Sequence, residues 1–257
     1  QRSSKHVMGQ LGYYCTDTVT PIHSGLLKEL QTDAFILQSV LQDIRHKSDN
    51  KTQAYYLLLA NPGHHSARCS FGGYCYVNHA AALAKTLGQS IGRTAVLDVD
   101  YHAGNGTTSI FYDDPNVFVV SIHCDPDYEY PFHSGFADET GTRDGIGATL
   151  NLPLPPGTTW ENGYRAALEQ ALDTIASWGV GAMVISLGLD THLGDPCAIR
   201  RAAFALQGDD YVSMGQLMAD RISLNVPTIF VQEGGYRMDV IGEVAANVVT
   251  SFAERRS

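Results

Sequence analysis

At 257 residues the chain can bury one sizeable core, and its formal charge of −10, from 17 basic and 27 acidic residues, argues against a nucleic-acid surface and leans towards cationic substrates. Its five cysteines, Cys15, Cys69, Cys75, Cys124 and Cys197, are odd in number and lack Cys-x-x-Cys spacing, which fits reduced thiols and a cytoplasmic setting rather than a disulfide framework. No apolar run spans a bilayer and no basic-then-apolar leader opens the chain, so no membrane partner is expected; the start at Gln1 rather than Met reads as a fragment or a processed product.

Taken in order, Gln1 to Thr20 is expected to be irregular, with Gly9, Gly12 and Pro21 as breakers. From Gly25 to Arg45 the apolar residues Leu26, Leu30, Ile36, Val40 and Ile44 recur at helical spacing, with Asp33 as a point where one helix divides into two. Lys47 to Gln53 reads as a surface turn or helix extension. Tyr55 to Ala60 is a short apolar strand running into Asn61-Pro62-Gly63-His64-His65. Pro62-Gly63 forces a turn that delivers two adjacent imidazoles. A lone histidine there would be structural, whereas a pair suits proton transfer, because imidazole titrates near neutral pH. The loop Phe71 to Tyr76 leads into a helix from about Val77 to Leu87, whose alanines suit close packing on a sheet. Tyr74 in that loop reads as a rim aromatic or as a substrate wall.

Thr94 to Leu97 reads as a buried parallel strand, followed by Asp98-Val99-Asp100-Tyr101-His102-Ala103-Gly104-Asn105-Gly106-Thr107, which ends in a turn opening a helix. Strand alternation would send Asp98, Asp100 and His102 to one side, at the strand end where open α/β sheets bind ligands. Unpaired buried carboxylates are costly, and a cation removes that cost. One imidazole among carboxylates suits zinc, iron, cobalt or manganese without choosing between them.

Val117 to Ser121 is the third strand, ending in Ile122-His123-Cys124-Asp125-Pro126. The loop with Tyr128, Tyr130 and Phe132 either lines a channel or packs on itself. Asn151 to Thr158, rich in proline, is expected to be a rigid connector, and Trp160 to Ser177 an amphipathic helix. Ala182 to Leu187 is the fourth strand and leads to Asp190, the natural third ligand beside Asp100 and His102; Asp195 before Pro196 reads as a turn or cap residue. A helix from Tyr211 to Leu224 and a fifth strand from Thr228 to Gln232 follow. Glu233-Gly234-Gly235-Tyr236 then places a tyrosine where glycine freedom lets it reach the crevice. A helix from Val240 to Arg255 closes what reads as one domain, residues 1–257, with no internal repeat.

Together these strand ends resemble the histone deacetylase superfamily, more narrowly its acetylpolyamine amidohydrolase-like members. Pro62-Gly63-His64-His65, Gly72-Gly73-Tyr74-Cys75, Asp98 to Thr107, Ser121-Ile122-His123 with Asp125-Pro126, Tyr130-Pro131, Leu189-Asp190-Thr191 with Asp195-Pro196, and Glu233-Gly234-Gly235-Tyr236 occur in the family's order from about Gly9 onward. The resemblance implies an α/β fold, a parallel sheet flanked by helices of the arginase/deacetylase type. It implies a zinc-dependent amidohydrolase that removes acetyl groups from acetylated polyamines or acetyl-lysine, with Zn2+ (or Fe2+, Co2+ or Mn2+) on Asp100, His102 and Asp190. His65 would be the general base, His64 its electrostatic partner, Asp98 the acceptor from His64, Asn105 the group orienting His65, and Tyr236 the donor to the oxyanion. Tyr74 and Tyr130, with Gly73 and Gly235, would shape the substrate channel. A structural K+ would sit on Asp98, Asp100, His102, Ser121 and Ile122, some by backbone oxygen. The expected partner is a small acetylated amine or an acetyl-lysine substrate, with a homo-oligomer allowed for.

Several positions depart from the family pattern. Ala103 stands where a second histidine is usual, Ala60-Asn61 where Arg-Pro is common, and His79 where Asn is common. Relatives also begin with roughly a hundred further residues, of the order of a small domain, so the chain reads as N-terminally short. Two alternatives follow. A binuclear arginase-like centre would need a carboxylate where Gly104 stands, and a non-catalytic module would keep the pocket without turnover.

Overall fold

The computed structural model describes residues 5–46, 54–198 and 203–257. Helices α1 (Val7–Tyr14) and α2 (Leu26–His46) precede strand β1 (Ala54–Leu57); then come α3 (His79–Ser90), β2 (Thr94–Asp98), α4 (Asn105–Phe111), β3 (Val117–Cys124) and β4 (Thr149–Leu154). The second half runs α5 (Arg165–Trp178), β5 (Ala182–Leu187), α6 (Gly208–Arg221), β6 (Thr228–Gln232) and α7 (Ile241–Arg256). The six strands form one sheet in the order β1-β6-β5-β2-β3-β4, and every pairing is parallel.

Alternation along the buried strands splits the core in two. From β2, Ala95 and Leu97 point into a layer with α5, α6 and α7, while Val96 points into the layer with α2, α3 and α4. The apolar stripe read from the sequence explains α5, since Ala167, Leu168, Ala171, Leu172 and Ile175 are all buried. Each of its larger aliphatic side chains stabilises the fold by about 1.5–3 kcal/mol. On the opposite face Ala80, Ala81 and Ala84 bring α3 close to the sheet, and Asn78 caps it by accepting the Ala81 N–H at 2.9 Å.

Four local expectations are corrected. The segment before Thr20 is not irregular throughout, because α1 forms across Gly9 and Gly12, with His6 accepting the Met8 N–H at its start. Asp33 does not divide α2. It points inwards from a continuous helix, accepts the Ala60 N–H at 3.2 Å and lies 3.5 Å from His79 Nε2. The proline-rich connector is in its first half an edge strand, β4, which pairs only with β3, and an edge is where a strand tolerates a residue without an N–H such as Pro153. The helix expected from Trp160 opens as a π-turn over Trp160–Tyr164, capped by Thr159, before α5 begins. Lys47 to Gln53 lies outside the described residues.

Candidate active site

β2 ends at Asp98, so Asp100 and His102 stand on the bend beyond it rather than on the strand. They still converge. His102 Nδ1 lies 3.2 Å from Asp100 Oδ1 and 3.0 Å from Asp190 Oδ2, and Asp190 arrives from the loop after β5, the strand paired with β2. Backbone N–H groups orient both acids: Gly234 N–H donates to Asp100 Oδ2 at 2.9 Å, and Tyr101 N–H to Asp190 Oδ1 at 2.9 Å. Close approach of backbone requires two glycines here. A Cβ on Gly234 would lie 2.6 Å from Asp190 Oδ2, and one on Gly188 would lie 2.2 Å from Asp100 Oδ2.

The charges in this cluster are tightly set. Burial, reinforced by the neighbouring Asp100 charge, pushes the Asp190 carboxyl up to about 7. Burial also opposes the Asp100 charge, but His64 and His102 outweigh it and hold that carboxyl below its usual range. For His102 burial is overcome by hydrogen bonds to Asp100 and Asp190, which raise it to about 10. Two buried acids and one imidazole, with one ligand atom each within 4.8 Å of one another, form a donor set that suits a divalent cation.

His64 and His65 follow β1 in a turn that has no room for a side chain at position 63, where a Cβ would lie 2.8 Å from Val77 O. His64 Nδ1 lies 2.9 Å from Asp98 Oδ2, and its Nε2 lies 3.6 Å from Asp100 Oδ1. Burial works against a charge on His64, but Asp100 and Asp98 carry it well above the ordinary imidazole range. His65 is the opposite case. Burial and the charges of His64 and His102 push it well below that range. Its Nδ1 lies 2.7 Å from Asn105 Oδ1; with Nδ1–H donating there, Nε2 is left as a free acceptor. Two adjacent imidazoles, tilted by 41° with ring centroids 4.0 Å apart, are thereby shifted in opposite directions.

A cavity of about 320 Å³ opens on this cluster, lined among others by Gly73, Tyr74, Tyr130 and Tyr236. Gly73 and Tyr74 both hold positive φ, 58° and 64°, and a Cβ on Gly73 would meet the His65 ring at 2.2 Å. The Tyr130 ring stands perpendicular to His65 at 4.8 Å between centroids, and Tyr74 meets Tyr236 edge-on at 5.6 Å. Burial and the charges of Asp190 and Asp100 drive the Tyr236 hydroxyl far above its usual range, so it keeps its proton. Gly235 takes a different place: it packs against Leu189 and Ile241 and is not among the residues lining the cavity. Of the residues read as a monovalent-ion site, Asp98 and Ser121 are register partners across β2 and β3, and Ile122 lies in the core.

Five residues that were given no part in the chemistry prove important locally, among them Asp195, read as a turn or cap residue. Asp195 accepts the N–H groups of Tyr236 and Arg237, and Glu233 accepts those of Gly63 and His64. Asp17 accepts the Gly73 N–H together with those of Val19 and Thr20, while Thr20 Oγ1 accepts the Tyr74 N–H. Cys197 lines the cavity. Among the described residues a second set, His64, Cys75 and Glu233, also brings ligand atoms within 4.8 Å, but the Glu233 oxygens are occupied by Gly63, His64 and Ser186. Of the five, Asp195 and Glu233 stood inside motifs that carry the family resemblance.

A family model described as the histone deacetylase domain matches residues 2–252. Acetylpolyamine amidohydrolase 2 of Pseudomonas aeruginosa is 39% identical over 253 residues, which cover 98% of this chain and 70% of that protein. The acetylpolyamine amidohydrolase of Mycoplana ramosa is 39% identical over 250 residues, 96% of this chain and 69% of its own length. The crystal structure of an acetylpolyamine aminohydrolase from Burkholderia pseudomallei superposes with a TM-score of 0.85 at 32% identity, covering 97% of this chain and 70% of that one.

Proposed function

The chain belongs to the histone deacetylase domain family, and from that premise we propose that it is a zinc-dependent amidohydrolase that removes acetyl groups from acetylated polyamines. The observation that carries this reading is the convergence of Asp100, His102 and Asp190 beside the oppositely poised pair His64 and His65. Asp100, His102 and Asp190 would hold the ion. When bound, zinc supplies Lewis acidity that polarises an amide carbonyl and makes a water molecule easier to deprotonate.

The side chains divide the remaining work. His65, neutral and with Nε2 free, takes the proton from the attacking water, while Asn105 keeps Nδ1–H pointing away. His64, charged and fastened to Asp98, stabilises negative charge as it develops at the reacting carbon's oxygens. Tyr236, which keeps its hydroxyl proton, donates a hydrogen bond to the oxyanion. The proton gained by His65 then passes to the leaving amine, whose expulsion as a neutral amine makes hydrolysis complete. Tyr74, Tyr130 and Gly73 enclose the methylene chain of the substrate.

Acetylated polyamines are preferred over acetyl-lysine because the relatives named above carry that substrate in their names, and because the net charge of −10 favours a cationic substrate. The test is a substrate panel on the zinc-loaded protein, with acetylated diamines and triamines set against acetyl-lysine peptides. A kcat/KM at least roughly tenfold higher for the polyamines is expected, equivalent to about 1.4 kcal/mol of transition-state preference. Equal or reversed preference overturns the substrate assignment, and no turnover of either class favours the non-catalytic alternative.

A further inference from the structure

We infer that Glu233 is the positioning residue for the His64–His65 pair, acting through the backbone of the turn that carries them. The activity arm of its test rests on the amidohydrolase reading above, whereas the inference itself rests on geometry. Glu233 stands just past β6, buried, and its two oxygens accept three protons from two other strand ends. Oε2 takes the Gly63 N–H at 2.6 Å and the His64 N–H at 3.1 Å; Oε1 takes the Ser186 Oγ–H of β5 at 3.0 Å. One carboxylate thus ties β5, β6 and the turn after β1 together.

The turn is also packed against the start of α3. A Cβ at Gly63 would lie 2.8 Å from Val77 O and 2.9 Å from the His79 backbone N, so there is no room for the turn to shift that way. Between these two limits the imidazoles have one register: His64 against Asp98 at 2.9 Å and His65 against Asn105 at 2.7 Å. The task asks for acceptors at full side-chain reach. It does not ask for a charge.

Three variants of the full chain separate reach from charge: Glu233→Gln, Glu233→Asp and Glu233→Ala. In Glu233→Gln the amide oxygen accepts from Gly63 and His64, and the NH2 group faces Ser186, whose hydroxyl can rotate to accept. Shortening to Asp keeps the charge but withdraws the oxygens by about 1.5 Å, one C–C bond. Zinc-loaded Glu233→Gln is expected within about fivefold of the parent kcat. Glu233→Asp and Glu233→Ala are expected to fall roughly 30- to 100-fold with KM within about twofold and zinc stoichiometry unchanged, since displacement by an ångström costs about that much. An active Asp variant beside an inactive Gln variant would mean that charge matters rather than reach, and would overturn the inference. So would parent-like rates in all three.

A second readout needs neither metal nor turnover. In the metal-free protein the His64 imidazole N–H bonded to Asp98 gives a downfield proton resonance, expected to persist in Glu233→Gln and to shift or broaden away in Glu233→Asp. Persistence in Glu233→Asp overturns the inference. If the Ala variant does not fold, the Gln and Asp pair decides alone. If the parent hydrolyses no acetylated amine, the functional reading fails while the resonance still tests Glu233.

Discussion

Asp195 Oδ2 accepts the backbone N–H of Tyr236 at 2.8 Å, and the same oxygen takes the Arg237 N–H at 3.1 Å. A buried carboxylate thus fixes the start of the tyrosine that closes the cavity opposite His65, although Gly234 and Gly235 precede it. Glycine freedom shapes the path of the chain, and Asp195 removes the mobility that such freedom would otherwise leave. Replacing Asp195 by Ala is expected to lower kcat roughly 10- to 100-fold with the zinc content unchanged, and Asp195→Asn, which keeps an acceptor, to lose less. Steady-state kinetics with metal analysis on both variants checks this; equal losses in the two would contradict it.

Asn105 sets the tautomer of His65, whose low pKa comes from burial and the charges of His64 and His102. An aspartate at 105 would place a negative charge against Nδ1 and raise the imidazole pKa, because a neighbouring anion favours the protonated form. The acid limb of the pH–rate profile for Asn105→Asp is therefore expected to move to higher pH by at least about one unit. A profile superimposable on that of the parent would refute the base assignment of His65.

Asp190→Ala removes one of three ligand donors. Zinc affinity is expected to fall by roughly a hundredfold or more, beyond the 10- to 100-fold typical of losing an outer hydrogen-bond partner. Competition titration with a chromogenic chelator measures it, and affinity within threefold of the parent would sink the ligand assignment.

Gly234→Ala tests the same centre from its backbone. The added methyl would lie 2.6 Å from Asp190 Oδ2 and 2.7 Å from Asp100 Oδ2, so one carboxylate or the chain after β6 must move. Overpacking of this kind costs about 1–3 kcal/mol. Denaturant unfolding should register that loss alongside weaker zinc binding; a fully stable variant with normal zinc affinity would exclude the crowding described here.

His123 predicts an acid-sensitive contribution to stability. It is fully buried, its Nε2–H donates to Gly135 O at 2.8 Å, and Nδ1 accepts from Ser121 Oγ at 2.8 Å. Burial lowers its pKa from 6.5 to about 4. Because the folded value lies below the unfolded one, the contribution is complete above pH 6.5 and drains away as pH falls towards 4. The difference corresponds to roughly 3 kcal/mol. Thermal melts between pH 7.5 and 4.5 should therefore fall less steeply for His123→Gln, which keeps a donor for Gly135 without titrating. Parallel slopes in the two proteins would contradict the assignment.

The parts of the fold legible in the sequence are those where one physical effect dominates. β2, β3, β5 and β6 are short apolar runs buried on both faces, and each reveals itself by composition. β4 hides because Pro153 and Pro155 suggest a connector, and only its edge position makes a proline strand tolerable. The convergence of Asp100, His102 and Asp190 could be anticipated because the side chain that would hold an ion is itself the signal. The partners of Asp17, Asp195 and Glu233 could not be read, since each accepts at least one N–H from a residue distant in the chain. An acidic residue beside a proline or a glycine looks the same whether it caps a turn or fastens an active-site wall.

The strand order has a consequence for when this centre can exist. β1 touches no strand but β6, and β6, second to last among the named elements, fits between β1 and β5. During synthesis β1 and the turn bearing His64 and His65 find their place only after residues 228–232 have emerged. Pairing across such sequence separation is slow. A nascent chain therefore carries β1 without its partner strand and an unassembled candidate site until β6 has been made, so the site and this side of the core close together.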